Sequence, residues 1–467
     1  MTACSISSFN SILNNTFTAF SDRIALKTGN ENYTYRQIQT IVQYNAARIM
    51  QLSSAHMVIL FFSEKRISLA SYIGVLSVLS AGRCAVMLPE YLSEDKAIRT
   101  AQDYGADLII SDHHIASPDI HCLIPEIPAD SVSVQLSVLP ELNEDDDCFV
   151  LFTSGTTEEP KGVLLSHGNV VSAAKGGSAL SPYAENDMYV SCIPYYHGYS
   201  LICDLICVIM HGGCLCAATE NGILRDIQFY RPDYLNAVPE LVKVLLRVMR
   251  KSGKEYLDER LDNMRCGGAG MDDSVYSEMA AYGINIYNCY GLTELTAAVS
   301  ASGPSCYRTG SAGRVIPGDE VRISNEGQIM VKGKTLFKGY IDGKQISEPD
   351  EWFETGDLGT LDEDGYLYIL GRADNGIILE NGEKIIPEQM ELQLQTFPCI
   401  KEALVYKDVV YTGLSAQIVA EGDPAEIADA VDRVNRNFPS GAQITHYIVS
   451  DEPLKRNQLG KLIRRKI

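Results

Sequence analysis

The sequence predicts an α/β protein: a large N-terminal domain of βαβ-type sheets with a small β subdomain, followed by a small α+β C-terminal domain. Strand-like and helix-like segments alternate through the first two thirds of the chain, the rhythm of parallel sheets covered by helices. From Gly303 to Gly339 the pattern changes to short strands parted by Gly and Asn, which suits a β subdomain. After Gly371 a short stretch carries both patterns and has the size of a small independent domain. At 467 residues the chain also exceeds what one core supports.

The elements follow in order. Met1 to Asn10 lacks a basic region followed by an apolar one, so no signal peptide is expected. Met57 to Phe62 reads as a buried strand, Ile67 to Ala81 as a helix and Leu108 to Ser111 as a further strand. The apolar run Ile67 to Gly82 falls short of a membrane span and contains Ser and Gly, so a buried helix is expected. Asp147 to Phe152 runs into a Gly-containing loop, and Ile284 to Tyr287 runs into a second polar turn. Glu320 to Ile323, Gln328 to Lys332 and Leu367 to Leu370 are the short strands of the β subdomain.

Composition narrows the function. A hydrophobic share of 46% with 21% charged residues is ordinary for a soluble protein. The net charge of -21 argues against nucleic acid or an anionic membrane surface as the main partner. Any anion site must then be locally basic, and Lys455 to Lys466 is the basic cluster. Thirteen cysteines without paired spacing read as free thiols of a reducing, cytoplasmic compartment. Cys203, Cys207 and His211 recur every four residues, with Cys214 and Cys216 just beyond. Their neighbours are apolar apart from Asp204 and no Cys-x-x-Cys pair is present, so a structural core is expected there and not a metal site.

The segment Leu151-Phe-Thr-Ser-Gly-Thr-Thr-Glu-Glu-Pro-Lys-Gly-Val-Leu-Leu-Ser-His-Gly168 carries the most chemistry. Gly155 lets the backbone approach a ligand and turn its N–H groups toward it, while Thr153, Ser154, Thr156 and Thr157 add hydroxyl donors. Lys161 supplies a mobile positive charge. Together these suit a triphosphate. The Gly-Lys-Ser/Thr order of a Walker A loop is absent. The same residues would also serve a Ser/Thr-rich surface turn.

Four further segments decide between those readings: Asn288-Cys-Tyr-Gly-Leu-Thr-Glu294, Trp352-Phe-Glu-Thr-Gly-Asp357, Leu370-Gly-Arg-Ala-Asp374 and Lys455-Arg-Asn-Gln-Leu-Gly-Lys-Leu-Ile-Arg464. In this order the set resembles the acyl-adenylate-forming (AMP-binding) superfamily over nearly the whole chain, and looks most like acyl-CoA synthetases, the fatty-acid–CoA ligases. The resemblance implies an AMP-forming acid–thiol ligase using ATP and Mg²⁺. Its parts would be an N-terminal ATP- and acid-binding domain (1–371), a hinge (372–374) and a mobile C-terminal domain (375–467).

Adenylation concentrates negative charge at phosphorus, so positioning and positive electrostatics are the main demands on the protein. By the resemblance, Thr153, Ser154, Gly155, Thr156, Thr157 and Lys161 hold the phosphates. Glu294 holds Mg²⁺, and Thr293 meets the α-phosphate. Asp357 and Arg372 bind ribose, while Tyr290 offers an aromatic face and Asn288 an amide to adenine. Lys461 reaches the α-phosphate and the carboxylate from the C-terminal domain. Ile193-Pro-Tyr-Tyr-His-Gly-Tyr-Ser-Leu201 resembles the ligase segment whose histidine, here His197, gates the carboxylate. The aspartate with which amino-acid-activating relatives bind ammonium is not in that place, which disfavours an amino acid. Gly267-Gly-Ala-Gly270, with Gly268 and Ala269, would floor the pocket. Gly382, in the turn of Gly376-Ile-Ile-Leu-Glu-Asn-Gly-Glu-Lys-Ile-Ile-Pro-Glu-Gln-Met-Glu391, would line the path of pantetheine.

One departure stands out: Glu158 replaces the usual glycine and Glu159 follows it, which predicts weakened ATP affinity. The expected substrate is a small-molecule fatty or related alkyl or aryl acid, and the acceptor is CoA or a carrier-protein phosphopantetheine. A stand-alone enzyme loading a carrier protein and an aryl or succinylbenzoate-type CoA ligase are the alternatives. A non-catalytic ATP-binding protein is disfavoured.

Overall fold

The computed structural model describes residues 8–129, 140–153, 160–257, 260–271, 273–343, 345–379, 384–408, 411, 413–456 and 462–464. Two large sheets dominate it. The eight-stranded sheet has the order 345–347, 339–342, 162–166, 147–152, 84–88, 57–61, 108–110, 121–123. Its centre is parallel: Met57–Phe61 lies between Cys84–Leu88 and Leu108–Ile110. All five residues of Cys84–Leu88 are buried, as a strand covered on both faces requires. The nine-stranded sheet runs 314–315, 300–301, 285–290, 263–266, 234–237, 188–190, 214–216, 24–28, 31–34. Its central strands are parallel as well.

The helix Leu69–Ser80 packs within the largest core. Ser68 starts it by accepting from the Ser71 backbone, and the Ser71 side chain returns the bond. Its residues are buried from Ser71 to Ser80, so it has no solvent-facing stripe. Gly74 lies against strand side chains, where an added Cβ would come 2.8 Å from Phe62 Cζ. No helix among the described residues is long and apolar enough to cross a membrane.

The β subdomain is an antiparallel sheet of Asp319–Ile323, Gln328–Gly333, Phe353–Leu361 and Leu367–Arg372. The short strand Gly339–Asp342 does not join it. It returns to the eight-stranded sheet and pairs antiparallel with Gly162–Ser166. From Ile377 onward a separate apolar cluster forms around Met390, Leu394, Val405, Ile418 and Val431. It is framed by helices Pro387–Gln395 and Pro424–Asn435 and by the strands Ile400–Lys407, Leu414–Ala420 and Ile444–Ser450.

The cysteine segment departs from the regular helix. Ser200–Ile206 is π-helical and only Cys207–Met210 is α-helical. A π turn widens the repeat beyond that of an α-helix, so a four-residue spacing no longer stacks side chains along it. Cys207 is buried, and the His211 ring stacks on Tyr183 at 5.7 Å. The described cysteines are free thiols, and no group of three His, Cys, Asp or Glu side chains among the described residues could hold a metal ion.

Candidate active site

Three of the motif segments, 288–294, 352–357 and 370–374, meet where the nine-stranded sheet abuts the β subdomain. Strand Asn285–Tyr290 ends the parallel run of the first and passes into the turn Thr293–Leu295. Leu295 and Val299 then pack on Ile329, Val331 and Leu367 of the second. This packing fixes the motif loop against strands Phe353–Leu361 and Leu367–Arg372.

At that seam the Tyr290 hydroxyl donates to Asp357 Oδ2 at 2.6 Å, and Arg372 donates to Asp357 Oδ1 at 3.0 Å. Arg372 also donates to the Thr355 carbonyl at 3.2 Å, and the Asp357 N–H donates to Thr355 Oγ1. Asp357 is 7% exposed, whereas the Arg372 side chain is 51% exposed. Burial and the adjacent Asp357 charge push the Tyr290 phenol well above its ordinary range, so it stays a donor. Burial opposes the charge on Arg372, but the Asp357 carboxylate outweighs it and raises the guanidinium. Three residues expected to hold ribose and adenine are therefore joined in one hydrogen-bonded group.

Residues expected at the phosphates are tied to the same loop. The Tyr340 hydroxyl donates to Glu294 Oε1 at 2.9 Å, and Lys161 Nζ lies 5.6 Å from the centre of the Tyr340 ring. Burial, then the Glu294 charge, raises the Tyr340 phenol and keeps it protonated. Thr153 and Lys161 close the base of their hairpin: the Thr153 N–H donates to the Lys161 carbonyl at 3.0 Å, and the Lys161 N–H to Thr153 Oγ1 at 3.3 Å. Glu294 suits a hard cation. Its Oε1 accepts from a neutral donor, so its charge is not cancelled by that bond.

Asn288 is committed to structure more than its expected role suggests. Its Nδ2 donates to the Ser311 carbonyl at 2.9 Å and its Oδ1 accepts from Tyr276. Thr293 is half-buried in the turn, and its carbonyl accepts from Thr296. His197 is half-buried with its ring 4.9 Å from Tyr196. Gly268 and Ala269 are exposed, and Gly268 takes a left-handed φ of +89°. Ser154, Gly155, Thr156, Thr157, Glu158, Gly382 and Lys461 lie outside the described residues.

Glycine is required at Gly291. A Cβ there would fall 2.3 Å from both the carbon and the oxygen of the Ala297 carbonyl. Thr296 and Ala297 answer with φ of +50° and +59°, unusual for residues with side chains. The Thr296 hydroxyl donates to the Thr335 carbonyl at 2.7 Å and anchors the bend.

Sequence reasoning missed Tyr340 and Tyr276. Neither stands in a motif; each reaches the site from an element whose position only the fold reveals. Thr355 had a signal, since it lies two residues before Asp357 in Trp352-Phe-Glu-Thr-Gly-Asp357.

The chain is similar to several known ligases. A 2-succinylbenzoate–CoA ligase of Bacillus cereus is 28% identical over 348 residues, which is 71% of each chain. The o-succinylbenzoate CoA synthetase of Bacillus subtilis, solved with its acyl-adenylate intermediate, superposes with a TM-score of 0.80 at 22% identity and covers 97% of both chains. ATP-bound MatB from Rhodopseudomonas palustris superposes with a TM-score of 0.81 at 21% identity and 97% coverage of each. These two structures share the mixed α/β fold with this protein. The model of the AMP-binding enzyme family matches residues 13–341, well over half of the sequence, and the chain belongs to that family.

Proposed function

We propose that the protein is an AMP-forming acid–thiol ligase that activates an aryl or aryl-keto acid of the succinylbenzoate type and passes the acyl group to CoA. One observation carries this. The Tyr290–Asp357–Arg372 group and the Glu294–Tyr340–Lys161 group stand at the two ends of a single loop, a nucleoside-binding chemistry beside a phosphate-binding one.

Asp357 accepts from ribose hydroxyls. Lys161 and Thr153 hold the phosphates that leave as pyrophosphate, while Glu294 would hold Mg²⁺, which supplies positive charge at the phosphate oxygens. A carboxylate oxygen of the acid attacks the α-phosphorus, one P–O bond forms and the bond to pyrophosphate breaks. Thr293 and Lys461 are the donors to the charge that gathers there. A thiolate then attacks the acyl carbon and AMP departs. The C-terminal segment, turning about residues 372–374, presents Lys461 for the first step and Gly382 for the second.

The acid's class rests on the surroundings of His197. Tyr199, two residues after His197, clusters with Cys203, Cys266 and Cys289, each raised by burial and therefore neutral. Asp204 is buried nearby, but its carboxylate is taken up by Asn236 at 2.7 Å and Ser200 at 3.3 Å. The buried Arg265 guanidinium stands beside this cluster but donates to Ser181 and to the Pro182 carbonyl and lies over Tyr183 and Tyr234. Among the described residues no carboxylate there is left over for a substrate ammonium, and an aromatic, thiol-lined wall favours an aryl acid over an α-amino acid. A fatty acid, the first expectation, draws no support from relatives named for 2-succinylbenzoate, and CoA is the acceptor in their names.

The test is pyrophosphate release with ATP, Mg²⁺ and CoA across 2-succinylbenzoate, substituted benzoates, fatty acids and amino acids. Release driven by aryl acids and completed only with CoA is expected. Release driven by amino acids alone, or by none of the panel, overturns the reading.

A further inference from the structure

Tyr199 stands between two features already described. It follows His197 by two residues and directly precedes the π-helical turn Ser200–Ile206. A single π turn inside a helix is uncommon and re-aims the side chains at its edge. Here it sets the Tyr199 ring over the glycine floor: a Cβ on Gly267 would lie 3.6 Å from Tyr199 Cε1 and only 2.6 Å from Cys289 Sγ. The backbone of this segment is also held close to the nucleotide loop. A Cβ on Gly198 would lie 3.2 Å from Ala297 Cβ and 3.4 Å from Leu151 Cδ1, the latter at the strand that leads into the phosphate loop.

The hydroxyl of Tyr199 is one of several buried hydroxyls left without a hydrogen-bond partner, Tyr72 and Tyr196 among them, and the one that lies beside the glycine segment. It is buried and, among the described residues, finds no nitrogen or oxygen partner. The Cys289 thiol stands beside it, and sulfur is a weak partner. Buried hydroxyls are rarely left so, because each pays for lost water without a replacement bond. Tyr195, four residues earlier, shows the ordinary case: its hydroxyl donates to the Leu88 carbonyl and accepts from the Phe62 N–H at 3.1 Å.

We propose that Tyr199 is a specificity-determining residue whose phenol donates a hydrogen bond to a second oxygen of the acid, an acceptor distant from the carboxylate that is adenylated. The ring lies beside Gly267 and Cys289, and Gly267 begins the segment expected to floor the acid site, so this donor would stand in its wall. An acid carrying a ketone, ester or second carboxyl oxygen satisfies the hydroxyl; a plain hydrocarbon acid leaves it stranded. The inference rests on the ligase reading above and narrows it to oxygen-bearing acids.

The test uses two acids that differ in the ketone alone, 4-oxo-4-phenylbutanoate and 4-phenylbutanoate, together with 2-succinylbenzoate. Pyrophosphate release gives kcat/KM for each with the wild type and with Tyr199→Phe, which keeps the ring and removes the donor. The wild type should favour the keto acid by about tenfold, the worth of one buried hydrogen bond. The ratio should fall toward one in Tyr199→Phe, mainly through the KM of the keto acid. A ratio that is near one in the wild type, or is the same in both proteins, overturns the role of Tyr199 and leaves the ligase reading standing. Absence of pyrophosphate release with every acid sinks the ligase reading itself, and this inference with it. Melting temperatures of the two proteins within about 2 °C would show that packing is intact, so that the change in ratio reports the hydroxyl.

Discussion

Asp357→Asn separates a ribose-binding carboxylate from a structural one. The substitution keeps the size and one acceptor oxygen but removes the charge. Within the free protein the loss is small. The Arg372 side chain is 51% exposed, so its 3.0 Å ion pair is screened and counts as a surface pair, about 0.5 kcal/mol. Tyr290 can still donate to the remaining carbonyl oxygen, so the total cost to stability should stay near 1 kcal/mol. With ATP bound the loss is larger, because hydrogen bonds from ribose hydroxyls to a charged acceptor contribute about 1.5–3 kcal/mol each. Losing most of one such bond predicts a rise in the KM for ATP on the order of tenfold to a hundredfold. The contact is the same before and during phosphoryl transfer, so kcat should change little. Pyrophosphate release at varied ATP, paired with a urea melt, measures both. An ATP KM within twofold of wild type, together with a stability loss above about 3 kcal/mol, would show that Asp357 ties the β subdomain together and does not touch the nucleotide.

Three further outcomes follow from the structure. Gly291→Ala drives a Cβ into the Ala297 carbonyl, so it should lower the unfolding free energy by roughly 2–4 kcal/mol and impair activity, whereas Ala297→Gly should stabilise by about 1 kcal/mol by relieving a left-handed alanine; urea midpoints check both. Burial lowers the His167 imidazole from 6.5 to about 4, so above pH 6.5 the residue is neutral in folded and unfolded chains alike and costs nothing. Below that the unfolded chain gains the proton first, and stability should fall by about 2 kcal/mol at pH 5, a loss that His167→Gln should abolish in urea melts at pH 7 and 5. Lys461→Ala should slow adenylate formation by on the order of 10²–10³ while leaving thiolation of a presynthesised acyl-adenylate near wild type; equal slowing of both half-reactions would refute the two-position reading of the C-terminal segment.

Much of the architecture could be read from the sequence because its signals are local. The helix expected over Ile67 to Ala81 forms as Leu69–Ser80, with Ser68 as the cap that sets its start. Strands expected at Met57, Leu108, Glu320, Gln328 and Leu367 form within a residue or two of their expected ends. Tyr290, Asp357 and Arg372 could be named together because each stands in a compact motif. Tyr340 could not, since its tie to Glu294 depends on a strand leaving the β subdomain and pairing with Gly162–Ser166. The π turn at Ser200–Ile206 was equally hidden, because its residues are those of any apolar helix. The double engagement of Asn288 arises from Tyr276 and Ser311, whose sequence neighbourhoods carry no mark of it.

The pairing of Gly339–Asp342 with Gly162–Ser166 has a bearing on how the chain comes to be folded. Until residue 342 has left the ribosome, Gly162–Ser166 is the border strand of its sheet, bonded to Asp147–Phe152 on one flank and open on the other. It is a five-residue, fully buried apolar ribbon, the kind of open border that recruits strands from other molecules. Nascent chains stalled or truncated between these two segments should therefore be a sticky species, and the wait for so distant a partner should make sheet closure slow. Co-expression of fragments ending before and after Asp342, scored for solubility, would time that vulnerability during synthesis.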